Sequence, residues 1–212
     1  GNRIRSLHQD PSARVWIGTE NQGLAIYQRG RFNTMDTTDG LLSNTITDIC
    51  SDNNGTIWIG SDRGINSLTE EMKINTHFEQ LDMSVRTLVC HPEDGLYIGT
   101  DKGLSRMMGE ELIDVVSPGS LNADVLSIMI DQDGMIWTGT NGQGLMIIYD
   151  DSLITIDERN GLPDNFIFSL LEDSKERIWM SSYNGVFFLK RDLLSAYLTG
   201  KVSQLMFTRF DE

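Results

Sequence analysis

Basic residues are scarce in this chain of 212 residues: Lys plus Arg total 17 against 31 Asp plus Glu, a formal charge of -14. Such a surface repels a phosphate backbone instead of releasing its counterions, which excludes nucleic acid as a partner. Proline is also rare, at four, and low-complexity runs are missing, so disorder is not indicated. Long hydrophobic runs are absent. The longest, Leu145 to Tyr149 and Val186 to Leu189, are strand-length, and no basic-then-apolar segment opens the chain, so any membrane attachment is expected through segments absent from this sequence.

Histidine is limited to His8, His77 and His91, at unrelated positions, and no Ser-His-Asp arrangement or metal-ligand spacing can be drawn from them. Asp131-Gln132-Asp133-Gly134 begins like a calcium loop but lacks the later spaced carboxylates, so it reads as a hairpin turn. No cofactor and no metal is expected. Only two cysteines are present, Cys50 and Cys90, at nearly matching points of adjacent repeats. They read as small core residues, with a bridge between neighbouring units left open.

What the chain has is repetition. Trp16-Ile17-Gly18-Thr19, Trp58-Ile59-Gly60-Ser61, Tyr97-Ile98-Gly99-Thr100, Trp137-Thr138-Gly139-Thr140 and Trp179-Met180-Ser181-Ser182 recur roughly 40 residues apart, a period of units too small to bury a core alone. With each aromatic as position zero, position -12 is Ile4, Ile46, Val85, Val125 and Ile167, and position -9 is Leu7, Ile49, Leu88, Ile128 and Leu170. Short apolar runs separated by glycine turns indicate four antiparallel strands per unit. Tight turns at Asp52-Asn53-Asn54-Gly55 and its equivalents join strands one and two. The acidic turn residues Asp10, Asp52, Asp94, Asp131 and Asp173 read as solvated loops.

Four-stranded meanders at this period are β-propeller blades. The expected fold is all-β, with five blades near 1–38, 39–80, 81–118, 119–159 and 160–212 forming one segment of a propeller. The tryptophans are placed between blades, where each buried side chain contributes about 1.5 to 3 kcal/mol. Leu193, Leu194, Tyr197 and Leu198 fall on one face at helical spacing, predicting a short helix near 191–199 with Asp192 as its cap and Gly200 as its stop.

Leu41-Leu42-Ser43-Asn44, the run from Ile46 through Trp58-Ile59-Gly60-Ser61 to Gly64-Ile65, and Gly161-Leu162-Pro163-Asp164-Asn165 through Trp179 to Gly185-Val186 resemble the two-component regulator propeller repeat. The resemblance implies the extracytoplasmic sensory region of a bacterial membrane receptor, such as a hybrid histidine kinase or a diguanylate cyclase, working as a homodimer. It further implies that these blades belong to a larger, seven-bladed ring, with a blade and the signalling apparatus beyond Glu212. No catalytic or ligand residue is shared across that family, so none carries over.

In a meander blade the turns between strands two and three and the connections between blades emerge on one face. Asn44, Arg63, Lys102, Asn122, Asn141, Asn165 and Tyr183 lie in these loops and are the candidate ligand-binding residues, with Tyr183 as a stacking platform. They suit a hydroxylated or charged small molecule, carbohydrate among them. Two rival functions stay open: a self-contained five-bladed carbohydrate-binding lectin, and a propeller lyase or hydrolase with a histidine or glutamate base.

Overall fold

The computed structural model describes residues 3–78, 83–109, 111–115, 123–150 and 152–210. Contacts divide the chain into two compact units, Gly1–Val115 and Val116–Glu212. The first holds three sheets: β1 to β4 (Ile4–Gln9, Val15–Thr19, Leu24–Gln28, Arg31–Met35), β5 to β8 (Ile46–Ser51, Ile57–Ser61, Gly64–Leu68, Ile74–His77) and β9 to β12 (Val85–His91, Gly95–Thr100, Gly103–Met108, Glu111–Asp114). The second holds β13 to β16 (Val125–Ile130, Ile136–Thr140, Leu145–Tyr149, Ser152–Ile156) and β17 to β20 (Ser169–Glu172, Arg177–Ser182, Gly185–Lys190, Thr208–Phe210), with helix α1 at Arg191–Leu198. Every sheet is an antiparallel meander in sequence order, as the five repeats require.

Positions -12 and -9 are both apolar but three residues apart, and an unbroken strand would point them to opposite faces. A bulge resolves the conflict. The register slips between Ile4 and Ser6, Ile46 and Asp48, and Val125 and Ser127, and again opposite Gly99 and Thr100. One extra residue turns both side chains to the same face. That face packs on the preceding sheet: Ile46, Ile49, Ile57 and Ile59 bury against Trp16, Leu24 and Ile26 in one cluster. Ile167, Ile178 and Met180 likewise bury against Trp137, Leu145 and Ile147.

Glycine two residues after the aromatic makes this approach possible. A Cβ on Gly18 would lie 2.8 Å from Ile46 Cγ2, on Gly60 2.7 Å from Val85 Cγ1, and on Gly139 2.6 Å from the Ile167 carbonyl oxygen. The tryptophans divide accordingly. Trp16 and Trp137 are fully buried between sheets. Trp179, predicted to lie between blades, is only half-buried, because Leu171, Val186 and Phe210 on its face are exposed and no described sheet covers them.

In four of the five blades the first turn corrects the expectation of solvated acids, whereas Asp94 of the third is exposed as expected. Asp10 and Asp131 are buried at 5% and 6% exposure. One oxygen of Asp10, Asp52, Asp131 and Asp173 accepts backbone N–H groups of its own turn. The other accepts the indole N–H of Trp16, Trp58, Trp137 or Trp179. Arg14 and Arg177 add a guanidinium to Asp10 and Asp173 and lie over the Trp16 and Trp179 rings. Burial alone would push the Asp10 carboxyl up, but the bonds from Trp16 and Arg14 hold it below its ordinary value.

These turns need a left-handed residue three places after the aspartate, which Gly55 and Gly134 supply but Ala13 (φ 59°) and Glu176 (φ 56°) adopt under strain. Ala13→Gly is therefore expected to stabilise the chain by up to about 1 kcal/mol, read as a rise in the urea midpoint; an unchanged or lower midpoint would contradict the strain.

Helix α1 forms where predicted but is capped differently. Its N-cap is Lys190, with no side-chain cap bond, because Asp192 already lies inside the first turn. Arg191 takes the anchoring role. Its guanidinium reaches Asp131 (2.8 Å) and Asp133 (2.7 Å) of the preceding sheet's turn and Glu172 (3.0 Å) of its own, at 9% side-chain exposure. Burial alone would lower its pKa, yet the three carboxylates raise it. Arg191 thus stands where Arg14 and Arg177 stand in their turns, since the matching residue of this blade is Met135.

Cys50 and Cys90 are joined in a disulfide, with Cα atoms 5.9 Å apart, between β5 and β9. The same junction is tied by Asp48, which accepts from Ser6 Oγ, Thr87 Oγ1 and the Leu88 N–H and so links the first strands of three sheets.

Candidate functional site

The connections between blades are clipped onto the turns before them, and two candidate residues are the clips. Asn44 accepts the Gly23 N–H with its carbonyl (2.8 Å) and the Thr37 N–H with Oδ1 (3.0 Å). Asn165 repeats the arrangement, accepting Gly142 and Gly144 N–H on its carbonyl and Glu158 N–H on Oδ1. Their Oδ1 atoms therefore brace the loops. The recurrence of Asn at this place in both family-like repeats was the sequence sign of it.

In the first unit, Arg63 and Lys102 are exposed at the tips of the β6–β7 and β10–β11 turns, with backbone N–H groups bound to Ser61 and Thr100 hydroxyls. No bond or ring contact in the structure brings these two side chains together among the described residues. Asn122 lies outside the described residues.

The second unit does assemble its candidates. Asn141 opens the β14–β15 turn, donates from Nδ2 to Asp124 Oδ2 (2.9 Å) and pairs through its backbone with Phe166. The Phe166 ring lies against Gly142, where a Cβ would sit 3.3 Å from its Cζ. Phe166 and Phe168 both stand edge-on to Tyr183, with centroids 5.3 and 4.7 Å away. Tyr183 is 74% exposed and Phe168 37%.

Asp164 sets this geometry. Buried at 5%, it accepts the Phe166 N–H (2.9 Å) on one oxygen and the Asn184 N–H (3.0 Å) on the other, fixing the strand lead-in to the Tyr183 turn. Asn184 then donates from Nδ2 to the Pro163 carbonyl. Of the candidates, Asn141 and Tyr183 are linked here through Phe166, while Phe168 and Asp164, which complete the arrangement, were not among them. The available sign was a cluster of aromatics at positions that do not repeat in other copies.

The histidines are more engaged than their sequence positions suggested. His8 Nε2 lies 2.9 Å from Ser51 Oγ, and His77 Nε2 2.8 Å from Ser67 Oγ. Burial lowers the His8 pKa, against the opposing pull of Asp10 and Asp48. His91 pairs with Asp94. Each bond satisfies an imidazole beside a strand. Among the described residues no His, Cys, Asp or Glu group of three could hold a metal ion, and no helix is long and apolar enough to cross a membrane.

Comparison with known proteins places this architecture. A family model described as the two component regulator propeller matches residues 40–63 and 161–184, the stretches that contain the clips Asn44 and Asn165. No curated protein matches the chain. Among solved structures, the extracellular domain of a B. thetaiotaomicron protein described as a hybrid two component system is 25% identical, with a TM-score of 0.72 over 86% of this chain and 26% of its own. A second such domain from that organism is 24% identical, at TM-score 0.76 over 89% and 27%. The chain thus spans about a quarter of those domains. Virginiamycin B lyase from Staphylococcus aureus superposes with TM-score 0.77 over 98% of this chain and 69% of its own, but at 10% identity it shares the fold alone. Five meander blades, two of them carrying stretches that match the two component regulator propeller model, make this chain similar to that family in repeat and fold.

Proposed function

We propose that this chain is the non-catalytic sensory propeller of a bacterial transmembrane signalling receptor, exposed outside the cytoplasm, and that the loop face of its second unit contacts the signal molecule. Support for the role comes from the extracellular domains of two-component systems that share its repeats and fold. The observation that carries the site is Tyr183, three-quarters exposed yet held by two phenylalanines and a buried Asp164. An aromatic ring kept rigid in water is an anchor with little entropy left to lose on binding. On the same loops, Asn141 Oδ1 as an acceptor and Asn165 Nδ2 as a donor suit hydroxyl groups, the other end of each carboxamide being bonded within the loops, so a small hydroxylated molecule, carbohydrate among the candidates, fits the chemistry. In the full receptor, ligand contact would shift a homodimer between two arrangements.

A thermal-shift screen of sugars, amino acids and divalent ions should find a compound that raises the melting midpoint, because binding only the folded state stabilises it. Tyr183→Ala should abolish that rise while lowering the unliganded midpoint by only a few °C, for the two edge-on ring contacts it loses. A rise that survives Tyr183→Ala would remove the site from consideration. Turnover of any such compound, lost on replacing His8, His77 and His91 together, would instead establish an enzyme.

A further inference from the structure

The Cys50–Cys90 bond joins two sheets, and its two ends stand in different surroundings. Cys50 is buried, directly across from Trp58 on β6, within the apolar cluster of Ile65, Val85, Leu88 and Ile98. Cys90 is half-buried and forms part of the wall of a cavity of about 170 Å³ lined also by Asp52, Trp58, Leu96 and Met107. Of the two ends of the bond, Cys90 is thus the one that borders an opening large enough for a small thiol, while Cys50 lies in the apolar cluster.

We propose that this disulfide is a redox-operated lock on the junction between the second and third sheets, opened from the cavity by a small uncharged dithiol. Access decides which sulfur is attacked. The dithiol's thiolate attacks Cys90 Sγ, forming a mixed disulfide as the electron pair leaves on the Cys50 sulfur, which takes up a proton. The second thiol then closes on the first, releasing Cys90 as a thiol. The dithiol ends as a cyclic disulfide, and two electrons and two protons have passed to the cysteines. Asp52 on the cavity wall repels thiols that carry carboxylates, so charged monothiols react slowly.

Opening the lock leaves the junction folded but weaker. The Asp48 bonds to Thr87 and Leu88 and the apolar cluster remain, whereas the covalent constraint between residues 40 apart in sequence is lost. Trp58 reports the change, because a disulfide quenches an adjacent indole and a pair of thiols quenches it less.

The test treats the folded chain with dithiothreitol in native buffer, followed by alkylation and intact-mass measurement. Expected are two added alkyl groups, a rise in tryptophan emission that is lost in Trp58→Phe, unchanged far-UV circular dichroism, and a melting midpoint lowered by about 10 °C. Glutathione at equal thiol concentration should reduce the bond at least about tenfold more slowly. The Cys50→Ser/Cys90→Ser chain should melt at the lower midpoint with or without dithiothreitol. Alkylation that occurs only in denaturant, or reduced and oxidised chains that melt together, would overturn the lock. The alkylation time course on the native chain decides the matter even where the double variant does not fold.

Discussion

Asp131→Ala is expected to lower the folding free energy by about 3 to 5 kcal/mol, far more than the same change at Asp52. Asp131 accepts the Met135 and Asp133 N–H groups on Oδ1, and the Trp137 indole N–H and the Arg191 guanidinium on Oδ2. Alanine strands the indole of a fully buried tryptophan and removes the most buried of the three carboxylates around a buried arginine. Asp52 makes the same turn bonds and holds Trp58 at 3.2 Å, but Trp58 is half-buried and the matching guanidinium position is occupied by Thr56. Asp52→Ala should therefore cost about 1 to 2 kcal/mol, the price of a lost turn cap and one partly wetted hydrogen bond.

Urea unfolding of the two variants separates the cases directly. Arg191→Met adds the second arm: it leaves Asp131 with its indole and backbone partners, so its cost should be smaller than that of Asp131→Ala. The double variant should then fall short of the sum of the two single losses. Equal costs at Asp52 and Asp131 would show that Arg191 adds nothing to the turn it reaches.

The repeat was readable because each copy obeys the same constraint at the same place. Apolar residues at -12, -9 and -1 in all five copies, with a glycine two after the aromatic in the first four, describe one sheet face meeting the next, and that determined the strands and their order. The bulge between Ile46 and Asp48 left its mark too, as an apolar spacing of three that a regular strand does not permit. The spacing behind the indole-to-aspartate bond, an aspartate six residues before every tryptophan, was present too, but an acidic residue in a turn reads as solvated until the packing brings the indole onto it.

Other features had no local sign. Arg191 serves a turn about sixty residues earlier because the helix after β19 brings it there, and chain distance conceals such a contact. Cys50 and Cys90 sit one place out of repeat register, so equivalence between copies did not predict their pairing. At the candidate site, loop position identified Tyr183 and Asn141. Their assembly depends on Phe166 and Asp164, whose roles come from packing around one particular turn instead of from the repeat.

Gly139→Ala is the second large effect, expected to destabilise by about 3 kcal/mol, at the upper end for an overpacked core. The added methyl would lie 2.6 Å from the Ile167 carbonyl oxygen and 2.5 Å from Ser127 Oγ. Ile167 N–H already donates to the Thr140 carbonyl, so the backbone that must retreat is held by a hydrogen bond between the two sheets. Relief requires the sheets to part, which opens the cluster containing Trp137, Leu145 and Ile178. The fifth copy provides the control. There the position is Ser181, half-exposed on a face whose Val186 and Phe210 are open to solvent, so a Cβ is tolerated. Ser181→Gly should change stability by no more than about 1 kcal/mol, the ordinary entropic cost of a strand glycine. Chemical denaturation of both variants reads the difference. A Gly139→Ala chain as stable as the parent would mean that the close approach of the two sheets is not what this glycine serves.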